Sequence, residues 1–313
     1  MKLPRPYAFG QPRQRKKTTL QPFEPDPCED TDYLARFDAM SFAAARAVIT
    51  SYSTSFAMST KLLGARVRTD ICNLYAVVRI ADEIVDGTAK AAGGAADAIA
   101  GALDDYERLI IEAPSRRFHT DPIVHAYAIT ARRCHFEEAL VRAFFTSMRG
   151  DLTQRSYDAR DFDDYIYGSA EVIGLLCVAI FVAGEDLDPA TRASLDEGAR
   201  ALGAAFQKVN FLRDISEDTT VLGRTYFPAL SGRVLDDAIK AELIADIRND
   251  LAVANAVIPL LPDDARRGVR AAADLFSELT DRIDQRPARE VLTARVSVPA
   301  ARKLLLLAKA ARC

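Results

Sequence analysis

The chain has 313 residues, 49% hydrophobic and 27% charged, enough to bury a substantial core in one large domain or two small ones. A formal net charge of -3 and a pI near 5.8 give none of the basic footprint of a nucleic-acid binder, so no nucleic-acid partner is expected. The five cysteines (Cys28, Cys72, Cys134, Cys177, Cys313) include no C-x-x-C pair, which fits reduced thiols in a cytoplasmic protein rather than a disulfide framework or a zinc site.

Residues 1–31 carry Arg13, Arg15, Lys16 and Lys17 among prolines and glutamines, with no apolar run of the export type. They predict a flexible, solvated basic arm ahead of a domain over residues 32–313. Asp32 can cap a helix running to about Ser51, and Ser53 or Ser55 opens a short one ending near Gly64. Arg68 to Asp86 predicts a third, closed by Gly87, and the small residues from Thr88 to Ala95 predict a loop. Further helices are predicted over 96–111, 121–133, 136–152, 161–182 and 189–215, the last with Pro189 in its first turn. Segments 235–258, 263–286 and 298–311 complete the set. Alternating strand patterns and short-period repeats are missing, so an all-α single domain follows.

The uncharged run Val172–Gly184 falls far short of the roughly 20 residues a membrane-spanning helix needs, and predicts a buried core helix. The final helix carries Arg302, Lys303, four leucines from Leu304 to Leu307, and Lys309. It reads first as a terminal helix docked on the core, and second as a basic amphipathic segment resting on a membrane.

Two aspartate pairs carry the chemistry. Asp82/Asp86 and Asp214/Asp218 each have helical i,i+4 spacing, which stacks two carboxylates on one face, and each has an arginine ahead of it, Arg79 or Arg213. A lone pair of this kind commonly decorates a solvated face. Here Leu74, Val77, Val78, Ile80, Ile84 and Val85 surround the first pair, which predicts a buried helix whose carboxylates need cations or metal. Asn210, Asp214 and Asp218 share one stripe beside Gln207, flanked by Phe206, Val209, Phe211 and Leu212. Two such walls suit magnesium, which takes one or two carboxylates and completes its shell with water and phosphate oxygens. Arginine forks suit those phosphate oxygens. The segment Gly223-Arg224-Thr225-Tyr226-Phe227-Pro228 is a turn by composition. Ser53-Thr54-Ser55 suits helix capping as well as phosphate binding, and His119, His125 and His135 lack metal-ligand spacing. Gly168, Ser169, Ala170 and Gly174 fit either close helix packing or a slot for an apolar chain.

With these residues in place, the chain resembles the squalene/phytoene synthase family from about Ala35 to Leu307. The resemblance rests on Ser53–Phe56, Tyr75–Asp86, Tyr165–Gly174, Gln207–Asp218, Gly223–Pro228 and Arg295–Pro299. It implies one helical bundle around a central apolar cavity with both aspartate motifs at the mouth. It implies that Asp82, Asp86, Asn210, Asp214 and Asp218 hold magnesium, with manganese as the alternative ion. Arg79, Gln207, Arg213, Ser53, Ser55 and Tyr75 would contact phosphate oxygens, and Arg224 and Tyr226 would belong to a flap. Tyr165, Ala170 and Gly174 would line the cavity for the prenyl tails, with Tyr165 also a catalytic candidate.

The activity implied is head-to-head condensation of two prenyl diphosphates. The wording around Tyr75–Arg79 and Ser169–Glu171 is most similar to bacterial carotenoid-pathway members, which implies geranylgeranyl diphosphate as substrate, phytoene as product and no need for NADPH. A squalene or dehydrosqualene synthase using farnesyl diphosphate is the alternative, and a non-catalytic assembly factor of the same fold ranks below it, because all four aspartates are present. A cytoplasmic enzyme with peripheral membrane contact for product release, working beside other carotenoid-pathway enzymes, is the accompanying expectation. Two departures stand out: Glu171 where relatives commonly carry glycine, and Phe276 where many carry tyrosine.

Overall fold

A computed structural model describes residues 30–217 and 224–312. The chain divides into two units, residues 1–36 and 37–313. Of the first, only the opening turns of α1 (Asp30–Tyr52) are described. The expected basic arm therefore lies outside the described residues, except for Asp30 and Thr31, which are already helical.

In the second unit the described residues form helices and no strand. After α1 come α2 (Thr54–Ser59), α3 (Ala65–Val85), α4 (Thr88–Ala91), α5 (Ala96–Glu112), α6 (Pro122–Cys134), α7 (Glu138–Thr153) and α8 (Ala159–Ile166). They are followed by α9 (Val172–Phe181), α10 (Pro189–Glu217), α11 (Asp237–Val257), α12 (Asp263–Asp284), α13 (Ala288–Val291) and α14 (Ala300–Ala310). An isolated bridge between Ser156 and Thr225 is too short to count as a strand.

Local chemistry explains most boundaries. Ser53 accepts from the Phe56 amide, Asp121 from Ile123 and Val124, and Asp236 from Ile239. Each such cap contributes about 1 kcal/mol. Gly87, at φ 122°, ends α3 in a backbone conformation that side chains resist. The predicted loop after it instead contains α4, because Thr88 to Ala91 are helix-compatible residues held between positive-φ Gly87 and Gly93. Helix α3 starts three residues before Arg68, with Gly64 as its N-cap. The Arg68 guanidinium is occupied by the Thr60, Lys61 and Leu63 carbonyls of the preceding turn.

The predicted helix over 161–182 is divided. Residues Tyr167–Glu171 form a π-helical turn between α8 and α9. Such a turn inserts one residue and redirects the helix, and it often marks a functional site. Here Gly168 lies so close to Ala143 and Ser147 of α7 that a Cβ would overlap them. The run Ala159–Phe181 is long and apolar enough to cross a membrane by length and composition, yet half of its most apolar window is buried within the protein. The core-helix expectation for Val172–Gly184 holds through Val172, Leu176, Val178 and Ile180, all buried.

The apolar core has two parts. One joins α3, α5, α6, α7 and α9, and the other joins α10, α11 and α12 with residues 226–235. Leu202 of α10 touches both. Asp70, fully buried on α3, accepts from Thr130 at 2.7 Å and from Arg133 through one carboxylate oxygen. His125 is buried and faces Asp38, His119 contacts the Ala113 carbonyl, and His135 ends α6 in the left-handed region, so all three histidines are structural. Burial raises the thiols of Cys72, Cys134 and Cys177, the last to about 12, as suits inert packed cysteines.

Candidate active site

A cavity of about 840 Å³ lies between α3, α9, α10 and α12. Helix α3 lines it with Ile71, Tyr75, Val78, Asp82 and Asp86, spaced by three or four residues and so forming one stripe. The stripe is apolar at its start and anionic at its end. Helix α10 repeats the gradient, from Leu195 through Ala199, Leu202 and Phe206 to Asn210 and Asp214. The 19 residues from Leu195 to Asp214 (214 minus 195) rise roughly 28 Å. Both helices run from an apolar interior toward a polar mouth.

The mouth therefore receives two helix C-termini, whose unpaired carbonyls carry partial negative charge. With Asp82, Asp86 and Asp214 added, it is a place for cations. Burial is the main force pushing the Asp82 carboxyl up to about 8, with neighbouring Asp86 adding repulsion and Arg79 opposing it. Arg79 lies 3.7 Å from Asp82, also binds Glu83, and rests over the Tyr52 ring at 4.4 Å. Asp86 is less enclosed than its apolar neighbours suggest: it caps α3 rather than lying within it, and its side chain is 42% exposed at the rim. Across the mouth, Asp214 is held by Arg213 and by Arg295 at 2.8 Å. Asp218 lies outside the described residues.

Among the described residues no three carboxylate, histidine or cysteine groups converge into a preformed metal cage. The donors at the mouth are oxygens, divided between two walls. That set fits a hard divalent ion that completes its shell with ligand oxygens, and it does not fit a structural zinc.

A buried aspartate missing from the motif reading lies beneath this mouth. Asp151, in the last turn of α7, is 4% exposed and accepts from the Tyr165 hydroxyl at 2.8 and 2.9 Å and from Tyr226 at 3.2 Å. Arg224 bridges the layers. It donates to Asp86 at 3.0 Å and to the Asp151 carbonyl at 2.7 Å, and lies 3.5 Å from the Asp151 carboxylate. Burial lifts Asp151 to about 6, against the pull of Arg224 and the two tyrosines. Arg224 and Tyr226 are thus buried parts of the wall, with the Tyr226 ring stacked on Phe211 at 3.8 Å. Asp151 has no partner in the sequence, and only its position on a face with Phe144 and Met148 hinted at burial.

The remaining candidates line the same cavity. Ser53, Ser55, Tyr75, Gln207, Ala170 and Gly174 all contribute to its walls. Ser53 caps α2 and also lines the cavity beside Tyr75, so the capping and site readings coexist. Lys303, which belongs to none of the sequence motifs, reaches the cavity from α14 and donates to Thr54 at 2.9 Å. Desolvation and the nearby Arg213 lower its pKa. Arg213, Arg295 and Lys303 therefore gather like charges at one side of the mouth, which favours an anion between them.

Gly174 serves packing as well as lining, because a Cβ there would overlap the Ala199 carbonyl of α10. Glu171 points away from the cavity and pairs with Arg200 at 2.6 Å, which resolves that departure. Phe276 stacks on Phe206 at 3.8 Å and lies 5.7 Å from Phe56, forming an aromatic lining below the mouth.

Comparison with known proteins accords with this geometry. The family model described as squalene/phytoene synthase matches residues 49–302. A 15-cis-phytoene synthase of Synechococcus elongatus is 29% identical over 288 residues, covering 85% of this chain and 91% of that protein. Phytoene synthase 3 of Zea mays is 30% identical over 284 residues, covering 84% of this chain; the chain spans 63% of that protein's length. Among solved structures, a dehydrosqualene synthase bound to a ligand matches with a TM-score of 0.72 at 22% identity, covering 88% of this chain and 97% of that one. A squalene synthase from Alicyclobacillus acidocaldarius matches with a TM-score of 0.66 at 22% identity, covering 82% and 96%. The fold is the helical fold of those synthases, and the chain belongs to the squalene/phytoene synthase family.

Proposed function

We propose that this chain is a prenyltransferase of the 15-cis-phytoene synthase type, condensing two geranylgeranyl diphosphates head to head and releasing diphosphate. The observation that carries the reading is the doubled gradient on α3 and α10, where one continuous cavity passes from apolar walls to a mouth of carboxylates and cations. The relatives named phytoene synthase support the same choice of product. With bonds of roughly 1.5 Å, an extended sixteen-carbon main chain spans on the order of 19 Å, which the α10 wall accommodates.

In this reading Asp82 and Asp86 on one wall, and Asn210, Asp214 and Asp218 on the other, hold magnesium or manganese with the diphosphates. The ions supply charge stabilisation of the leaving diphosphate. Arg79, Arg213, Arg295 and Lys303 add positive charge around its oxygens, while Ser53, Ser55, Tyr75 and Gln207 orient it by hydrogen bonds. As the carbon–oxygen bond ionises, the apolar walls exclude water that would quench the allylic cation. The faces of Phe56, Phe206 and Phe276 offer cation–π stabilisation without a nucleophile. The second substrate's double bond then attacks, and loss of a proton closes the ring of a cyclopropyl diphosphate; departure of its diphosphate, rearrangement of the cation and loss of a second proton complete the product. Tyr165, held by Asp151, presents a fixed polar edge to that wall. Ala170 and Gly174 leave room for the tails. No NADPH is needed for this ending. The setting proposed is the cytoplasm, beside other carotenoid-pathway enzymes, with membrane contact for product release.

The test is product analysis by mass spectrometry with purified protein, magnesium and either geranylgeranyl or farnesyl diphosphate, with and without NADPH. A forty-carbon hydrocarbon indifferent to NADPH is expected. A thirty-carbon product from farnesyl diphosphate alone would move the protein to the squalene or dehydrosqualene branch. Asp82→Ala and Asp214→Ala should each lower turnover at least about 100-fold with the fold intact; full turnover in either would sink the assignment.

A further inference from the structure

Two glycines at the apolar end of the cavity receive the side chains that form its floor. Leu63, two residues ahead of α3, and Gly268 of α12 both line that end. A Cβ on Gly268 would overlap Cδ2 of Leu63 and stand 2.6 Å from its Cγ. Gly198 of α10 and Val257 of α11 make a second such pair, in which a Cβ on the glycine would overlap Cγ2 of the valine. In each pair the branched side chain fills the volume that the glycine leaves empty, and so stays back from the cavity.

The backbone around Leu63 is held on both sides. Its amide donates to the Thr60 carbonyl at 3.1 Å, and its carbonyl accepts from Arg68 at 2.8 Å. The next amide, Gly64, donates to the Asp264 carbonyl of α12 at 2.7 Å, one helical turn from Gly268. A methyl placed on Gly268 is therefore met by the flexible end of Leu63. Leu63 belongs to a close-packed core, and the cavity is the open volume beside it. Val257 is stiff at χ1, so Leu63 is the side chain better able to swing.

Depth decides which tail meets this floor. Gly198 lies 16 residues before Asp214 (214 minus 198), roughly 24 Å along α10. Measured from the mouth, an extended geranylgeranyl main chain of about 19 Å comes within about 5 Å of that level, and a farnesyl main chain of about 14 Å within about 10 Å. Diphosphate and ions take up part of the remainder, so only the longer tail touches the floor. We propose that the Leu63–Gly268 and Val257–Gly198 seats set the tail length the cavity accepts, which makes the two glycines specificity-determining residues for a twenty-carbon substrate. The substrate class rests on the proposed function; the seats rest on geometry alone.

The test reads binding, so that it does not depend on turnover. Geranylgeranyl and farnesyl thiolodiphosphates, whose bridging sulfur slows ionisation, are titrated with magnesium into the full chain by calorimetry. Gly268→Ala should weaken the geranylgeranyl analogue roughly tenfold or more relative to the farnesyl one, since about two terminal carbons lose their burial. Adding Leu63→Ala to that variant should restore the wild-type ratio, because the side chain driven into the cavity is then gone. Leu63→Ala alone crowds nothing, and should raise the relative affinity for geranylfarnesyl thiolodiphosphate, one isoprene longer. A ratio unchanged in Gly268→Ala, or not restored by Leu63→Ala, would overturn the proposal. Should Gly268→Ala not fold, the absence of any gain for the longer tail in Leu63→Ala would overturn it as well. Product analysis in parallel separates the two readings: a wild type that forms no forty-carbon hydrocarbon, while its variants shift the binding ratio as stated, would refute the function and leave the seats standing.

Discussion

Replacing Arg224 by glutamine should destabilise the protein by an amount that grows with pH. Arg224 is 4% exposed and compensates Asp151, itself buried, across 3.5 Å. Removing one partner of a buried ion pair costs about 3–5 kcal/mol when the other stays charged. The Asp151 carboxyl already stands at about 6, above its ordinary 3.8, and Arg224 is the main group holding it down. A folded-state pKa above the unfolded one means stability falls as pH climbs from the unfolded value to the folded one, then levels off. In the wild type that loss ends near pH 6. In Arg224→Gln the carboxyl rises further, so the loss continues above pH 6 at up to about 1.4 kcal/mol per pH unit. Near pH 5 Asp151 is largely neutral in both proteins, and the hydrogen bonds to the Asp151 carbonyl, to Tyr226 and to Asp86 are lost, about 2 kcal/mol in all because the solvent-screened bond to the part-exposed Asp86 adds little. Urea unfolding at about pH 5 and about pH 8 should therefore show a deficit of about 2 kcal/mol widening to about 3–5 kcal/mol. Arg224→Gln/Asp151→Asn should recover most of the widened part, because no buried charge is left unpaired. A deficit equal at both pH values, or undiminished by Asp151→Asn, would refute the reasoning.

Magnesium binding should release protons. Partial burial and the neighbouring Asp86 hold the Asp82 carboxyl well above the ordinary carboxylate range, so a proton retained near neutral pH must leave for a cation to bind. Affinity should rise with pH until about 8, and calorimetry in two buffers of different ionisation enthalpy should give different heats; identical heats would count against it. Gly174→Val must push α9 off the Ala199 carbonyl of α10, at a cost of about 1–3 kcal/mol read as a lowered melting temperature. An unchanged melting temperature would show that Gly174 only lines the cavity. Glu171→Gln should cost less than about 1 kcal/mol, since its partner Arg200 is half exposed, and should leave product length unaltered by mass spectrometry. A shifted product would place Glu171 inside the cavity after all.

Much of this protein is written in local patterns. Helical periodicity, the caps at Ser53, Asp121 and Asp236, and the stop at Gly87 depend on neighbours a few residues away, so the all-α architecture was legible directly. The aspartate motifs were legible for the same reason, because i,i+4 spacing on a helix is itself a statement about geometry. What depends on distant chain was not. Asp151 meets Arg224 across 73 residues, and Lys303 meets Thr54 across 249. Neither residue carries a local signature, since its role comes entirely from the helices packed around it. The π turn at Tyr167–Glu171 arises where Gly168 meets α7, and it turns Glu171 outward to Arg200, which spacing on an ideal helix could not reveal. Likewise the run of leucines on α14 specified an apolar helix, but only docking of one face decided which leucines remain outside. Sequence alone determined the helices and the two carboxylate motifs, because these follow from residues close along the chain; burial, charge pairing and the enclosure of the cavity were settled by tertiary packing, because they follow from residues close only in space.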